Sequence, residues 1–222
     1  MSSFKKALFT QFALIAKALS SGHRLEILEF LSQSEYSVED LARVVGLSVA
    51  NTSHHLQQLR HAGLVTSRKE GQRVYYALQA NDVIELLGLL RNVAGRHLAE
   101  VDNLVDTYLR GKDQLEPVAR EDLVRRAQEG SVLVLDVRPA QEYAAGHLPG
   151  AVNIGVSELS QRLAEFDRGQ EIVAYCRGPY CMLAYEAVSL LRGQGFRAHR
   201  LQDGFPEWKL SGMPVETEVE TE

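Results

Sequence analysis

The chain has 222 residues, 45% hydrophobic and 24% charged, with a formal net charge of −5 at pH 7. This length allows one or two domains with proper cores, and this composition excludes wholesale disorder, a collagen repeat and a coiled-coil rod. No run approaches the ~20 consecutive apolar residues of a membrane span. The amino-terminal apolar clusters are interrupted by Gln11, Lys17 and Ser20, so no secretory signal, no membrane partner and a cytoplasmic location are expected. The charge is uneven. Residues 1–110 hold 12 Lys+Arg against 11 Asp+Glu, net +1, whereas residues 111–222 hold 12 against 18, net −6. Halves that differ in charge point to different partners.

In chain order, Leu19, Leu25, Ile27, Leu28, Phe30 and Leu31 form the apolar face of an early helix. Ser37-Val-Glu-Asp40 reads as a capping box opening a helix through Leu41 and Val45, which Gly46 stops. Ser48 caps the next helix, in which Val49, Thr52, Leu56 and Leu59 follow helical spacing and are expected to face inward. Leu64-Val-Thr-Ser67 and Val74-Tyr-Tyr-Ala-Leu78 predict two strands joined by a turn over residues 68–73. A long helix is expected over residues 82–109, with apolar residues on more than one side.

Two helices joined by a Gly-containing turn, then a hairpin with a basic tip, make a helix-turn-helix with a wing. Ala50, Asn51, Ser53, His54, His55 and Gln58 are then candidates for the major groove, where amides pair with adenine edges. Arg60, Arg68, Lys69 and Arg73 are candidates for phosphate contacts. The plainer reading is a solvated polar helix and a charged turn. Residues 48–65 together with Gly71-Gln-Arg-Val-Tyr-Tyr-Ala-Leu78 resemble the ArsR family of winged-helix repressors. The resemblance spans about residues 10–108. It implies a homodimer, formed by the terminal helices, that binds a near-palindromic double-stranded operator and leaves it when an inducer arrives. The chain departs from the metal-sensing members. Residues 37–45 hold no cysteine, and His97 and Glu100 have Ile84 and Leu86 where upstream ligands would stand, so no metal is expected.

Residues 111–117 are polar, end in Pro117 and read as a linker. Beyond them, a helix near Glu121 precedes the buried run Val132-Leu-Val-Leu-Asp-Val137. Glu171-Ile-Val-Ala-Tyr175 leads through the cysteine segment to a helix from Leu183, and Ala198-His-Arg-Leu201 follows. This alternation predicts an α/β layer with a mostly parallel sheet. Residues 216–222 form an acidic tail expected to fray.

Cys176-Arg-Gly-Pro-Tyr-Cys181 lies between a strand and a helix, where backbone amides and the helix dipole favour a thiolate. Arg177 adds a positive charge, and Gly178 and Pro179 permit a tight curl, with Tyr180 and Met182 completing the loop. The plainer reading is a pair of small buried hydrophobes. Leu135-Asp-Val-Arg138, Glu142-Tyr143, Gly146-His-Leu-Pro-Gly-Ala-Val-Asn-Ile154 and Asp203-Gly-Phe-Pro-Glu-Trp208 resemble the signatures of rhodanese domains over about residues 117–215. The resemblance implies that Cys176 carries sulfane sulfur as a persulfide and passes it to a thiol or cyanide, without a cofactor. It also implies that Asp136, Arg138, Glu142 and His147 mainly hold the fold around the loop. Phosphatases and arsenate reductases of this architecture use His-Cys-x5-Arg. Here Tyr175 precedes the cysteine and Met182 stands at the arginine position, which disfavours phosphate and arsenate. Cys181 is either a resolving thiol or an inert helix-start residue.

The expected protein thus has a winged helix-turn-helix in residues 1–110, a linker in 111–117 and a rhodanese-like domain in 118–215. It is read as a dimeric repressor that senses or transfers reactive sulfur through a rhodanese-type sulfurtransferase site. Two alternatives stand beside it. One is a sulfurtransferase whose helix-turn-helix half only dimerises, and the other is a metalloid-responsive repressor using the two thiols.

Overall fold

A computed structural model describes residues 3–113 and 115–218 and divides into two compact units, Met1–Gly88 and Leu89–Glu222. The first unit contains α1 (Ser3–Leu19), α2 (Gly22–Leu31), β1 (Tyr36–Ser37), α3 (Val38–Val44), α4 (Val49–His61), β2 (Val65–Glu70), β3 (Arg73–Leu78) and the opening of α5 (Asp82–His97). The Ser37 hydroxyl accepts the Asp40 amide and caps α3, and Gly46 at φ +66° takes the left-handed conformation that ends it. The Ser48 hydroxyl accepts the Asn51 amide at 3.2 Å and caps α4. Ile27, Leu28, Leu41, Leu56 and Leu59 are fully buried and join these helices in one core. Val49, expected inward, is 48% exposed. It is the first residue of α4, ahead of the buried stripe that starts at Thr52.

The antiparallel sheet has the order β1-β3-β2. Its strands extend into the stretch expected to be a turn, with Arg68 opposite Tyr75 and Glu70 opposite Arg73. Only Gly71 and Gln72 remain as the connection, and Gly71 adopts φ +58°, which a two-residue hairpin loop of this twist favours. Val83 and Leu87 of α5 belong to the same core. The division between units falls inside α5, after Gly88. The helix predicted over 82–109 is interrupted at Leu98, whose backbone is extended at φ −112° and ψ 102°. Then come α6 (Ala99–Val105) and a π-helical turn over Asp106–Arg110.

The second unit continues with α7 (Arg120–Gln128), β4 (Val132–Asp136), α8 (Ala140–Ala145), β5 (Val152–Asn153), α9 (Val156–Arg162), β6 (Glu171–Tyr175), α10 (Met182–Gly193), β7 (Ala198–Arg200) and α11 (Phe205–Leu210). Its four strands are all parallel, in the order β5-β4-β6-β7. Strand periodicity sends Ile172, Ala174 and Cys176 into the core shared with α9 and α10, while Val173 and Tyr175 enter the core shared with α7 and α11. The stretch expected to be a linker is tied down at Asp113. Asp113 is buried, accepting from Arg192 at 2.5 Å and from Arg200 at 2.6 Å. The acidic tail is also docked where it is described. Glu216 exchanges backbone hydrogen bonds with His147, and the Glu218 amide donates to Ala144. Residues 219–222 lie outside the described residues. Among the described residues, no helix is long and apolar enough to cross a membrane.

Candidate functional site

Cys176 leaves β6 on the face turned toward α10, and Cys181 is the N-cap of that helix. Their sulfurs are bonded, with Cα atoms 6.3 Å apart, inside the ~4.4–6.8 Å that a disulfide spans. Cys176 is only 2% exposed in this form. Between the cysteines, the Cys181 amide donates to the Gly178 carbonyl at 3.1 Å and the Tyr185 hydroxyl donates to the Pro179 carbonyl at 3.2 Å. Tyr180 and Met182 are exposed at the loop rim. The amides of Gly178 and Tyr180 have no hydrogen-bond acceptor among the described residues.

Two contacts press the loop into place from α11. The Phe205 amide donates to the Cys176 carbonyl at 3.0 Å. At Gly204, a Cβ would stand 2.4 Å from both the Arg177 carbonyl carbon and the Gly178 nitrogen, so only glycine fits. Arg177, expected to lend its charge to the loop, instead turns inward. Its guanidinium donates to Glu142 at 2.7–3.1 Å, and that carboxylate is fully buried. A buried carboxylate needs a cationic partner, and Arg177 supplies one.

The other residues named from the rhodanese resemblance lie behind the loop. Arg138 and Asp136 form a fully buried pair at 2.7 Å, and Arg138 also donates to the Gly146 carbonyl at 2.7 Å. The Arg138 guanidinium lies over the Phe205 ring at 4.2 Å. Tyr175 donates its hydroxyl to Asp136 and accepts the Leu148 amide at 3.1 Å. Burial, then the Asp136 charge, pushes that phenol above its ordinary range. His147 stacks on Tyr143 at 3.7 Å, and its Nδ1 is 2.9 Å from the Tyr143 carbonyl oxygen.

On α4, Ala50, Asn51 and His54 are exposed, and Ser53 is half-buried. Two residues expected to face out do not do so freely. His55 lies three residues after Thr52 and four before Leu59, at the edge of the buried stripe, and its Nδ1 is buried without a hydrogen-bond partner among the described residues. Burial holds its imidazole below its usual pKa. Gln58 accepts from Arg24 of α2 at 2.6 Å and contacts His54 Nε2 at 2.7 Å. In the wing, Lys69 and Arg73 are exposed, as is Arg60 at the end of α4. Arg68 is not available in the same way. It pairs with Glu35 and Glu70 and lies over the Tyr75 ring at 4.7 Å. Glu35 precedes β1, distant in sequence, and nothing local in the chain marks it as the partner of Arg68. Among the described residues, no cluster of three or more His, Cys, Asp or Glu stands ready to hold a metal ion.

Comparison with known proteins follows the same division. Residues 21–67 match the family described as bacterial regulatory protein, arsR family, and residues 119–211 match the rhodanese-like domain. The chain is 44% identical over 212 residues to the HTH-type transcriptional regulator Rv0324 of Mycobacterium tuberculosis, covering 96% of this chain and 93% of that protein. It is 39% identical over 84 residues to the HTH-type transcriptional regulator YgaV of Escherichia coli, covering 38% of this chain and 85% of that one. A solved homodimeric winged helix-turn-helix domain, Mb0332 of Mycobacterium bovis, is 43% identical. It covers 44% of this chain and 91% of its own, with a TM-score of 0.41.

Proposed function

We propose that this chain, which belongs to the ArsR-type helix-turn-helix transcriptional regulators that carry a rhodanese-like domain, represses as a homodimer and reads sulfane sulfur through Cys176. The observation that carries the sulfur reading is the Cys176–Cys181 bond, which closes a curled loop between β6 and α10. When the bond is reduced, Cys176 stands beside the N-terminus of α10, an environment that favours thiolate. The thiolate attacks the outer sulfur of thiosulfate. The S–S bond of the donor breaks, sulfite leaves with the bonding pair, and Cys176 holds a persulfide. Cyanide or a thiolate then takes the terminal sulfur, and no cofactor enters either step. Cys181 offers a second exit. Its thiol attacks the Cys176 sulfur, the proton and electron pair leave as hydrosulfide, and the disulfide remains.

DNA recognition is assigned to the exposed residues of α4, with Arg60, Lys69 and Arg73 on phosphates. Self-association is assigned to the apolar surface of α1, where Phe4, Phe9 and Phe12 are exposed and Phe9 meets Phe12 edge-on at 5.9 Å. The test is intact mass of the reduced protein before and after thiosulfate or a glutathione persulfide. One added sulfur, lost on cyanide treatment and absent from Cys176→Ser, is the expected result. No added sulfur from any donor overturns the sulfur reading.

A further inference from the structure

The sulfur loop lacks a substrate-facing cation of its own, because Arg177 is turned onto buried Glu142. A different arginine lies on the loop. Arg91 belongs to α5 within the second unit, outside both stretches that match a family. A Cβ built on Gly178 would stand 3.1 Å from Arg91 Nη1, so the guanidinium rests directly on the loop backbone where there is no side chain. Its Nη2 donates to Glu207 at 2.6 Å, and the other oxygen of Glu207 accepts the Gly204 amide at 3.1 Å. Glu207 therefore fixes both the arginine and the glycine that presses on the loop. Arg91 Nη1 has no hydrogen-bond partner among the described residues and is not sealed from water.

We propose that Arg91 is a specificity-determining residue of this loop, receiving the anionic end of the sulfur donor on Nη1 together with the amides of Gly178 and Tyr180. The proposal rests on the sulfur-accepting role of Cys176. Physical chemistry gives the reason for such a group. A thiolate that attacks a dianion meets charge repulsion, which a fixed cation beside the loop offsets. Arginine suits the task because its planar fork presents parallel donors to an oxyanion while another of its nitrogens stays with Glu207. In thiosulfate the sulfonate oxygens would sit on Arg91, leaving the outer sulfur for Cys176. The sulfite that departs carries its charge away past the same guanidinium.

The test separates loading from discharge, using the reduced full-length protein. Arg91→Ala is expected to raise the KM for thiosulfate about tenfold or more, the worth of one hydrogen bond to a charged group. It should leave kcat within about twofold. Arg91→Lys should recover most of the loss. Discharge of preloaded Cys176 persulfide by cyanide should run at the parent rate in Arg91→Ala. An unchanged KM in Arg91→Ala overturns the proposal. So does slowing of loading and discharge alike, which marks a deformed loop instead of a lost anion contact. A parent protein that no donor loads overturns the sulfur reading itself, and is thereby told apart from failure of Arg91 alone.

Discussion

Replacing Cys176 by Ser removes the thiol assigned as sulfur acceptor and puts no nucleophile in its place, since an alkoxide is not accessible near neutral pH. Thiocyanate formation from thiosulfate and cyanide should therefore vanish in Cys176→Ser and survive largely in Cys181→Ser. The reverse pattern would reassign the nucleophile. Gly204 is equally exacting for a steric reason. Gly204→Ala drives a methyl group into the Arg177–Gly178 peptide. Overpacking of this kind costs ~1–3 kcal/mol, and the variant should show a lowered Tm together with lost sulfur loading. A parent-like Tm with full loading would mean that the loop yields easily. Much at this scale is legible in the chain, because the cysteines are five residues apart and each motif is a short unbroken run of residues. Arg24 under Gln58, Glu35 against Arg68 and Arg91 against Glu207 are not legible. Each joins residues far apart in sequence, and a single arginine on a helix carries no local sign of its partner.

The wing is the element on which DNA affinity should depend most on charge. Arg73→Ala should weaken binding to every sequence and flatten the salt slope by about one unit. Arg68→Ala should change the slope less, since Glu35 and Glu70 already balance that charge. Salt titrations of both variants check the order, and equal slopes would contradict it. In the second unit, the stretch before α7 is stapled by Asp113 to Arg192 and Arg200. Burial pushes the Asp113 carboxyl up, but hydrogen bonds from the two arginines outweigh it and hold the carboxyl below the usual range. A lowered folded value stabilises above the unfolded carboxylate pKa of about 3.9 and fades as pH falls through the folded one. Asp113→Asn should thus lose about 1.5–3 kcal/mol near neutrality, the worth of a hydrogen bond to a charged group. Its deficit against the parent in thermal melts should narrow in acid, and a constant deficit would contradict this. The Ser37 cap, the stop at Gly46 and the buried run of β4 are fixed by local patterns, although the second arm of the expected capping box is replaced by the Ser37 hydroxyl donating to Asp40 at 2.6 Å. The break at Leu98 and the burial of Asp113 come from tertiary packing, which outweighs a helical pattern on one side and a polar composition on the other.

For the molecule as a whole, the net charge of −6 over residues 111–222 disfavours their approach to the duplex, so DNA contacts are assigned to residues 1–110. Regulation then requires that loaded and unloaded forms differ in affinity for DNA, because a modification indifferent to both states shifts nothing. A working switch needs a loss of at least about tenfold, or ~1.4 kcal/mol. The most direct measurement is the affinity of the reduced protein for a duplex selected for tight binding to it, before and after sulfur loading, in the parent and in Cys176→Ser. The account predicts a loss of at least about tenfold in the parent on loading and no change in Cys176→Ser. Equal affinities for the loaded and unloaded parent would contradict it, leaving a sulfur-handling domain joined to a regulator that does not read it.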